Sequence, residues 1–370
     1  MLTNNFEGLY RFRKELIECL AIHHKVVCAL PGPFHTEWFA RNGCGWIEVR
    51  TDRRTVNPVS DLKLLLAYKR IIKEIRPDLV LTYTVKPNIY GGIASADLNI
   101  PYIVNITGLG SAITRRAFLK SVVFQLYRHA LRRAGCVFFQ NADNLRLFLD
   151  RGIVKCKYKL IPGSGVNIEQ HSFCEYPADS KKTRFLFVGR IMKEKGIDEF
   201  LKCAERIKAR YPEAQFDIIG WLEEQHYESI LDEYRRKGIA DFHGFQEDVD
   251  AFIERSHVVV NPSYHEGMSN VLLEAAAIGR PVLASDIPGC RETFEDGVTG
   301  LAFKPQDADD LEAKMVEFIE LPYHRKREMG NAARRKVEEE FDRRIVIDAY
   351  MEEIERVQRR LKESSHDFVR

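Results

Sequence analysis

Two series of short, apolar, β-rich runs alternating with helical patterns constrain this chain more than any other feature of it. The first series is KVVCAL (25–30), DLVLTY (78–83), YIVNIT (102–107) and CVFFQN (136–141). The second is RFLFVG (184–189), AQFDIIG (214–220), VVVNPS (258–263) and PVLASD (281–286). Such runs read as strands buried on both faces. Helical spacing fills the intervals at 60–75 and 115–133, then at 196–210, 224–237, 269–278 and 308–320. Strands alternating with helices give parallel sheets under helical cover, so the fold class is α/β. The series restarts around KLIPGSGVNIEQ (159–170), a stretch rich in Pro, Gly, Ser and Asn that reads as a hinge. Two similar α/β domains facing a central cleft are expected, over 1–165 and 166–344, and 370 residues suffice for both. The apolar spacing of Ile345, Ile347, Tyr350, Met351, Ile354 and Val357 suits a last helix over 345–365 that packs back on the first domain.

Composition narrows the function classes. With 45% hydrophobic and 30% charged residues the chain reads as soluble and globular. No apolar run approaches the roughly 20 residues of a membrane span, and MLTNNFEGLYRFRK lacks the apolar core of a signal peptide. Eight scattered cysteines, with no CxxC pair, read as reduced small residues, and a cytoplasmic location is expected. The net charge of +2 hides an asymmetry: residues 1–165 hold 25 Lys/Arg against 12 Asp/Glu, while the remainder holds 31 against 42. Either the first half faces something anionic, or its excess is spread over a solvated surface.

In open parallel sheets, ligands bind outside the carboxyl ends of the strands. The loops that follow strands are therefore the informative ones: 3–8, 84–92, 107–114, 189–196, 220–223, 244–249, 263–270 and 286–293. Loop YHEGM follows the strand VVVNPS, and Ser269 or Asn270 caps the helix that runs to Ile278. The N–H groups around Gly267, Met268, Ser269 and Asn270 form an anion site at the helix start. Glu274 sits one turn inside this helix, where a lone buried carboxylate would be costly, and Glu266 sits in the approach loop. Phosphates between two hydroxyl-rich sugars, as in a nucleotide-sugar, would use all three features. In FVGRIMKEKG (187–196), Gly189, Arg190 and Lys195 place two cations at another strand-to-helix turn. Such cations either stabilise a departing diphosphate or are merely solvated.

Glu266-x7-Glu274 after NPSYHEG, with GRIMKEKG and PVLASDIPGCRE, resembles the retaining glycosyltransferases of the GT4 family, which have the GT-B fold of two Rossmann-like domains. The likeness covers most of the chain and is strongest over 184–305. TVKPNIYG and NITGLGSAI in the first half resemble members that build capsule, lipopolysaccharide or other glycans on a polyprenyl diphosphate. The resemblance implies an N-terminal acceptor-binding domain and a C-terminal donor-binding domain. It further implies that Arg190 and Lys195 hold the donor diphosphate, Glu266 the donor sugar and Glu274 the ribose, with backbone groups of 267–270 on phosphate. The base would stack near HGFQEDV (243–249), at Phe245, and Gly8 would approach the donor phosphate. The implied reaction moves a hexose or N-acetylhexosamine from a nucleotide-diphosphate sugar, with UDP expected, to a lipid-linked or glycan acceptor. Two departures stand out. Val85 occupies the place where many relatives carry a histidine, leaving Lys86 and Asn88 as substitutes. The first strand is also nearly absent, so either the start lies upstream or the first sheet has a ragged edge.

Other motifs carry less. DVD (248–250) imitates a metal-binding DxD, but Asp248 suits the N-cap of DVDAFIERSH. With cations on the diphosphate, no divalent metal or other cofactor is expected. His265 either lines the site or is structural, no GxSxG is present, and no nucleic-acid-binding module is recognisable. The basic, amphipathic 114–133 is either an interfacial helix on an anionic membrane or a helix packed on the first sheet. Rival readings are a UDP-sugar 2-epimerase of the same fold and a non-catalytic, nucleotide-regulated scaffold on the membrane.

Overall fold

The computed structural model describes residues 1–32, 36–50, 57–108, 117–179 and 182–367. Most of the GLGSAI stretch and the first three residues of 114–133 lie outside the described residues. The chain divides into two compact units, Met1–Ser164 with Arg344–Arg370, and Gly165–Arg343.

In the first unit, strands β1 (Val27–Leu30) and β2 (Gly45–Glu48) pair in parallel. Strands β3 (Val80–Tyr83), β4 (Tyr102–Ile106), β5 (Cys136–Phe139) and β6 (Tyr158–Leu160) form a second parallel set in that order. Residues 1–3 bridge the two sets. Thr3 N–H donates to Ala29 O and Ala29 N–H to Met1 O on one side; Leu2 N–H donates to Leu81 O and Tyr83 N–H to Leu2 O on the other. The expectation of a ragged edge is thereby corrected, because this short strand lies inside the sheet and backbone groups on both sides are satisfied.

Helices Phe6–His23, Pro58–Ile75 and Ala117–Ala130 cover these strands. The second begins where Asn57 accepts the Val59 N–H at 3.0 Å, with Pro58 in the first turn. The third decides one open reading. Val123, Phe124, Tyr127 and Ala130 are all at most 6% exposed, and the first three share a core with Val104, Val137, Phe139 and Phe148. These residues belong to the core, as the packed alternative for 114–133 expects, while Val122 on the same helix stays 38% exposed. The last helix, Arg343–Asp367, buries Val346, Tyr350 and Ile354 against Phe138, Tyr83 and Leu81 of the first unit. Glu353, whose side chain is 0% exposed, is held by Lys157 at 2.6 Å and Arg356 at 2.7 Å, which compensates a carboxylate otherwise costly to bury.

The second unit has one six-stranded parallel sheet. Its strands are β7 (Arg184–Val188), β8 (Gln215–Ile219), β9 (Asp241–Phe242), β10 (Val258–Asn261), β11 (Val282–Ser285) and β12 (Gly300–Phe303), in the order β12-β11-β10-β7-β8-β9. Helices Ile197–Arg210, Tyr227–Arg236, Asp250–Arg255, Asn270–Ala277, Ala308–Glu320 and Tyr323–Glu340 pack around it. Because every pairing is parallel, the carboxyl ends of all six strands open on one edge. Among the described residues all eight cysteines are free, and no helix is long and apolar enough to cross a membrane.

Candidate active site

The carboxyl edge of the second sheet is drawn together by close backbone contacts that only glycine permits. Gly220, just past β8, has φ +144°, and a Cβ there would lie 1.7 Å from Gly189 O. The loops after β7 and β8 therefore touch, with Gly189 N–H donating to Ile219 O at 3.0 Å. Gly196, at φ +73°, brings the start of helix Ile197–Arg210 against β10, where a Cβ would meet Pro262 O at 2.1 Å.

Two cations and two carboxylates stand on this edge. Lys195 Nζ donates to Glu266 Oε1 at 2.5 Å, and Ser263 Oγ donates to the same oxygen at 2.8 Å. These Lys195 and Glu266 side chains are only 20% and 15% exposed, so the pair is shielded from salt. Arg190 is more open: its side chain is 39% exposed and Nη1 lies 3.6 Å from Glu223 Oε2. A pair that long and that solvated contributes little to stability, so the Arg190 cation can meet an incoming anion at small cost.

Loop 263–269 is held from both sides. Tyr264 N–H donates to Glu194 O at 3.0 Å and its hydroxyl to Glu199 Oε1 at 2.7 Å. Ser269 N–H donates to Gly289 O at 2.7 Å, while Asn261 Nδ2 donates to Ser269 Oγ at 2.6 Å. Two expectations change here. Ser269 occupies the N-cap position of helix Asn270–Ala277, but its side chain makes no capping bond and accepts from Asn261 instead. Its N–H is likewise already used, so the anion site at this helix start is smaller than the sequence implied. Met268 is 7% exposed, with its side chain in a core beside Leu273 and Ala277. Only its backbone can face the edge.

Glu274, half-buried in the second turn, is not stranded in a core. Its charge reaches His171, whose pKa is raised. Burial works against that rise, and the Asp250 hydrogen bond together with the Glu274 charge overcomes it. Phe245 is 47% exposed, and Trp221 beside it is 44% exposed, with ring centroids 5.8 Å apart. Trp221 also donates Nε1–H to Glu223 Oε2 at 3.3 Å, tying it to the partner of Arg190. Trp221 is not among the residues that the sequence motifs single out. Its signal was an aromatic residue in a polar strand-end loop.

The remaining candidates separate. Gly8 lies in the first turn of helix Phe6–His23, in the other unit, where a Cβ would meet Asn5 Nδ2 at 2.4 Å. Asn88 is 1% exposed, accepting from Thr82 Oγ1 at 2.9 Å and donating to Asn105 O at 2.7 Å. With both functions of its amide spent internally, it cannot substitute for the missing histidine, and Lys86 is paired with Asp61 at 2.9 Å. Asp248 accepts the Ala251 N–H at 3.2 Å and Asp250 holds His171 Nδ1 at 2.8 Å, so each carboxylate of DVD has its own protein partner. The Cys290 thiol, beneath the site, is pushed well above its usual pKa by burial and by the Glu266 charge, which keeps it protonated and inert as a nucleophile.

Two parallel α/β units, one with paired carboxylates and cations at its strand-end edge, fit the GT-B fold of glycosyltransferases. The comparisons with known proteins agree in both halves. The family described as Glycosyl transferases group 1 matches residues 169–336, and Glycosyl transferase 4-like matches residues 4–141. The chain belongs to the glycosyltransferases built from these two domains. It is 26% identical, over 96% of its length and 98% of the relative's, to the N,N'-diacetylbacillosaminyl-diphospho-undecaprenol alpha-1,3-N-acetylgalactosaminyltransferase of Campylobacter jejuni. It is 25% identical, over 70% of each chain, to the UDP-Gal:alpha-D-GlcNAc-diphosphoundecaprenol alpha-1,3-galactosyltransferase of Escherichia coli. In fold it is similar to Anabaena Alr3699/HepE in complex with UDP and glucose, with a TM-score of 0.76 at 18% identity over 95% and 97% of the two chains.

Proposed function

We propose that the protein transfers a hexose or N-acetylhexosamine from a UDP-sugar, with retention at the anomeric carbon, to a glycan acceptor carried on a polyprenyl diphosphate. The single observation that carries this reading is the convergence of Arg190, Lys195, Glu266 and the first turn of helix Asn270–Ala277 on one strand edge. The relatives from Campylobacter jejuni and Escherichia coli, whose names specify diphospho-undecaprenol substrates, support the acceptor class. The UDP complex of the Anabaena protein supports the nucleotide.

In this reading Arg190 and Lys195 take the diphosphate, and their attraction grows as the sugar C1–O bond breaks and its electron pair passes to UDP. The acceptor hydroxyl oxygen bonds to C1 on the face the diphosphate leaves, and its proton passes to a phosphate oxygen of UDP. Glu266, held by Lys195 and Ser263, orients the donor sugar, and Glu274 takes the ribose hydroxyls. Phe245 and Trp221 together form the platform for the base. Two cations on the diphosphate do the work a divalent metal does elsewhere, so the reaction is proposed to be metal-independent. The first unit takes the acceptor at the cytoplasmic face of a membrane.

The test is product analysis with UDP-hexose and UDP-N-acetylhexosamine panels and a polyprenyl-diphosphate sugar in EDTA. Glycosylated lipid with the donor's anomeric configuration is the expected result. A glycosyl-enzyme trapped on Glu266, or an epimerised nucleotide-sugar without acceptor, would refute it.

A further inference from the structure

An exposed apolar stripe lies on a helix of the first unit to which no role has been assigned. In helix Pro58–Ile75, Val59 is 63% exposed, Leu62 57% and Leu66 56%. At 3.6 residues per turn these three fall within about 60° of arc. The inner face, with Leu64, Tyr68, Ile71 and Ile72, is buried in the core, so the exposed residues are not spare core positions. Lys63, Arg70 and Lys73 continue the same outer face; all three are exposed, Arg70 being bonded to Glu74 at 2.7 Å. An apolar stripe bordered by cations whose stems can lie along it is the pattern of a helix lying in a bilayer interface.

Position adds a second argument. The stripe occupies the first turns of the helix, which the Lys86–Asp61 ion pair, 2.9 Å long and about nine-tenths buried, locks to the loop after β3. The stripe therefore borders the carboxyl edge of the first sheet, where ligands of such sheets bind. The half of the chain that carries it has 25 Lys/Arg against 12 Asp/Glu, which complements an anionic surface.

We propose that Val59, Leu62 and Leu66, with Lys63, Arg70 and Lys73, dock this helix into the interface of a bilayer containing anionic lipid. Docking there holds the carboxyl edge of the first sheet at the depth of a lipid-linked headgroup. This deepens the acceptor reading above and moves the membrane surface from 114–133 to the first turns of Pro58–Ile75.

Co-sedimentation with phosphatidylcholine vesicles, with and without phosphatidylglycerol, tests it on the full chain and needs no nucleotide-sugar. Wild type is expected to bind the phosphatidylglycerol vesicles, less tightly at high salt. The triple variant Val59→Ser/Leu62→Ser/Leu66→Ser, unfolding at the wild-type temperature, is expected to bind on the order of 100-fold more weakly. Lys63→Gln and Lys73→Gln each cost roughly fivefold. Should the triple variant fold poorly, an environment-sensitive dye at Leu62→Cys should shift to the blue on vesicle addition, while the same dye at Arg236→Cys in the second unit should not. Equal binding by triple variant and wild type, or no preference for phosphatidylglycerol, overturns the proposal. So does a dimer that the triple variant dissolves while neither protein binds vesicles. Because Lys195→Ala leaves this surface intact, it should still bind vesicles even if the transferase reading fails, so the two failures are distinguishable.

Discussion

The strand-end edges of the two units use polar residues in opposite ways. In the second unit, Arg190, Lys195 and Glu266 are charged, between 15% and 39% exposed, and held in ion pairs that a ligand can exchange, Lys195 with Glu266 and Arg190 with Glu223. In the first, Thr82, Asn88, Asn105 and Gln140 are neutral, at most 6% exposed, and hydrogen-bonded in sequence, with Asn105 donating to the Tyr350 hydroxyl of the last helix. One edge holds charge in reserve for chemistry. Among the described residues of the other, these four neutral side chains spend hydrogen bonds on one another and on Tyr350, which favours rigidity. Substitutions should accordingly separate activity from stability.

The largest effect is expected at the charged edge. Lys195→Ala should lower kcat with a UDP-sugar by about 10²–10³-fold, the cost of removing one preorganised charge partner, while circular dichroism reports a folded protein. Asn88→Leu, at the spent edge, should do the reverse. It leaves Thr82 Oγ1 and Asn105 O unpaired and should cost about 1–3 kcal/mol of unfolding free energy, measured by urea titration, with near-normal kcat in the folded fraction. Trp221→Ala should weaken UDP binding about tenfold in calorimetry by removing half of the aromatic platform, with kcat at saturation little changed.

A smaller effect concerns pH. His171 is raised above its ordinary 6.5, so the bond to Asp250 contributes fully below that value and its contribution is lost as pH rises through the higher folded value. Asp250→Asn should therefore cost about 1 kcal/mol near pH 6 and less in alkaline buffer, which thermal melts across pH would show. Equal loss at every pH would mean that the pair acts only by packing.

What the sequence made legible follows the same physics. Strands β7, β8, β10 and β11 are buried on nearly every residue and so appear as continuous apolar runs. Strand β2, with alternating burial at a sheet edge, and β9, only two residues long, leave no such run. Helix Tyr323–Glu340 has little apolar signal because YHRKREMGNAARRKVEEE buries only Met329, Gly330, Ala333 and Val337. At the site, Glu266, Arg190 and Lys195 could be found because motif order places them on strand-end loops, and Glu274 because it lies one turn inside the helix that follows one of those loops. Trp221 could not, since a single aromatic in a polar loop reads equally well as surface. The helices Ala117–Ala130 and Pro58–Ile75 are the sharpest lesson. The first is visibly amphipathic in sequence yet buries most of its apolar face, leaving Val122 38% exposed, whereas the second keeps Val59, Leu62 and Leu66 more than half exposed, a difference that only packing reveals.

The most direct test of the charged edge as a nucleotide-sugar site is thermal stability with UDP, GDP and ADP in EDTA, for wild type and Glu274→Ala. A ligand at 100 times its Kd adds roughly 2.7 kcal/mol, which raises Tm by several degrees. The account predicts a UDP-selective rise that survives EDTA and shrinks in Glu274→Ala. No rise with any nucleotide, or a rise that requires Mg²⁺, would contradict it.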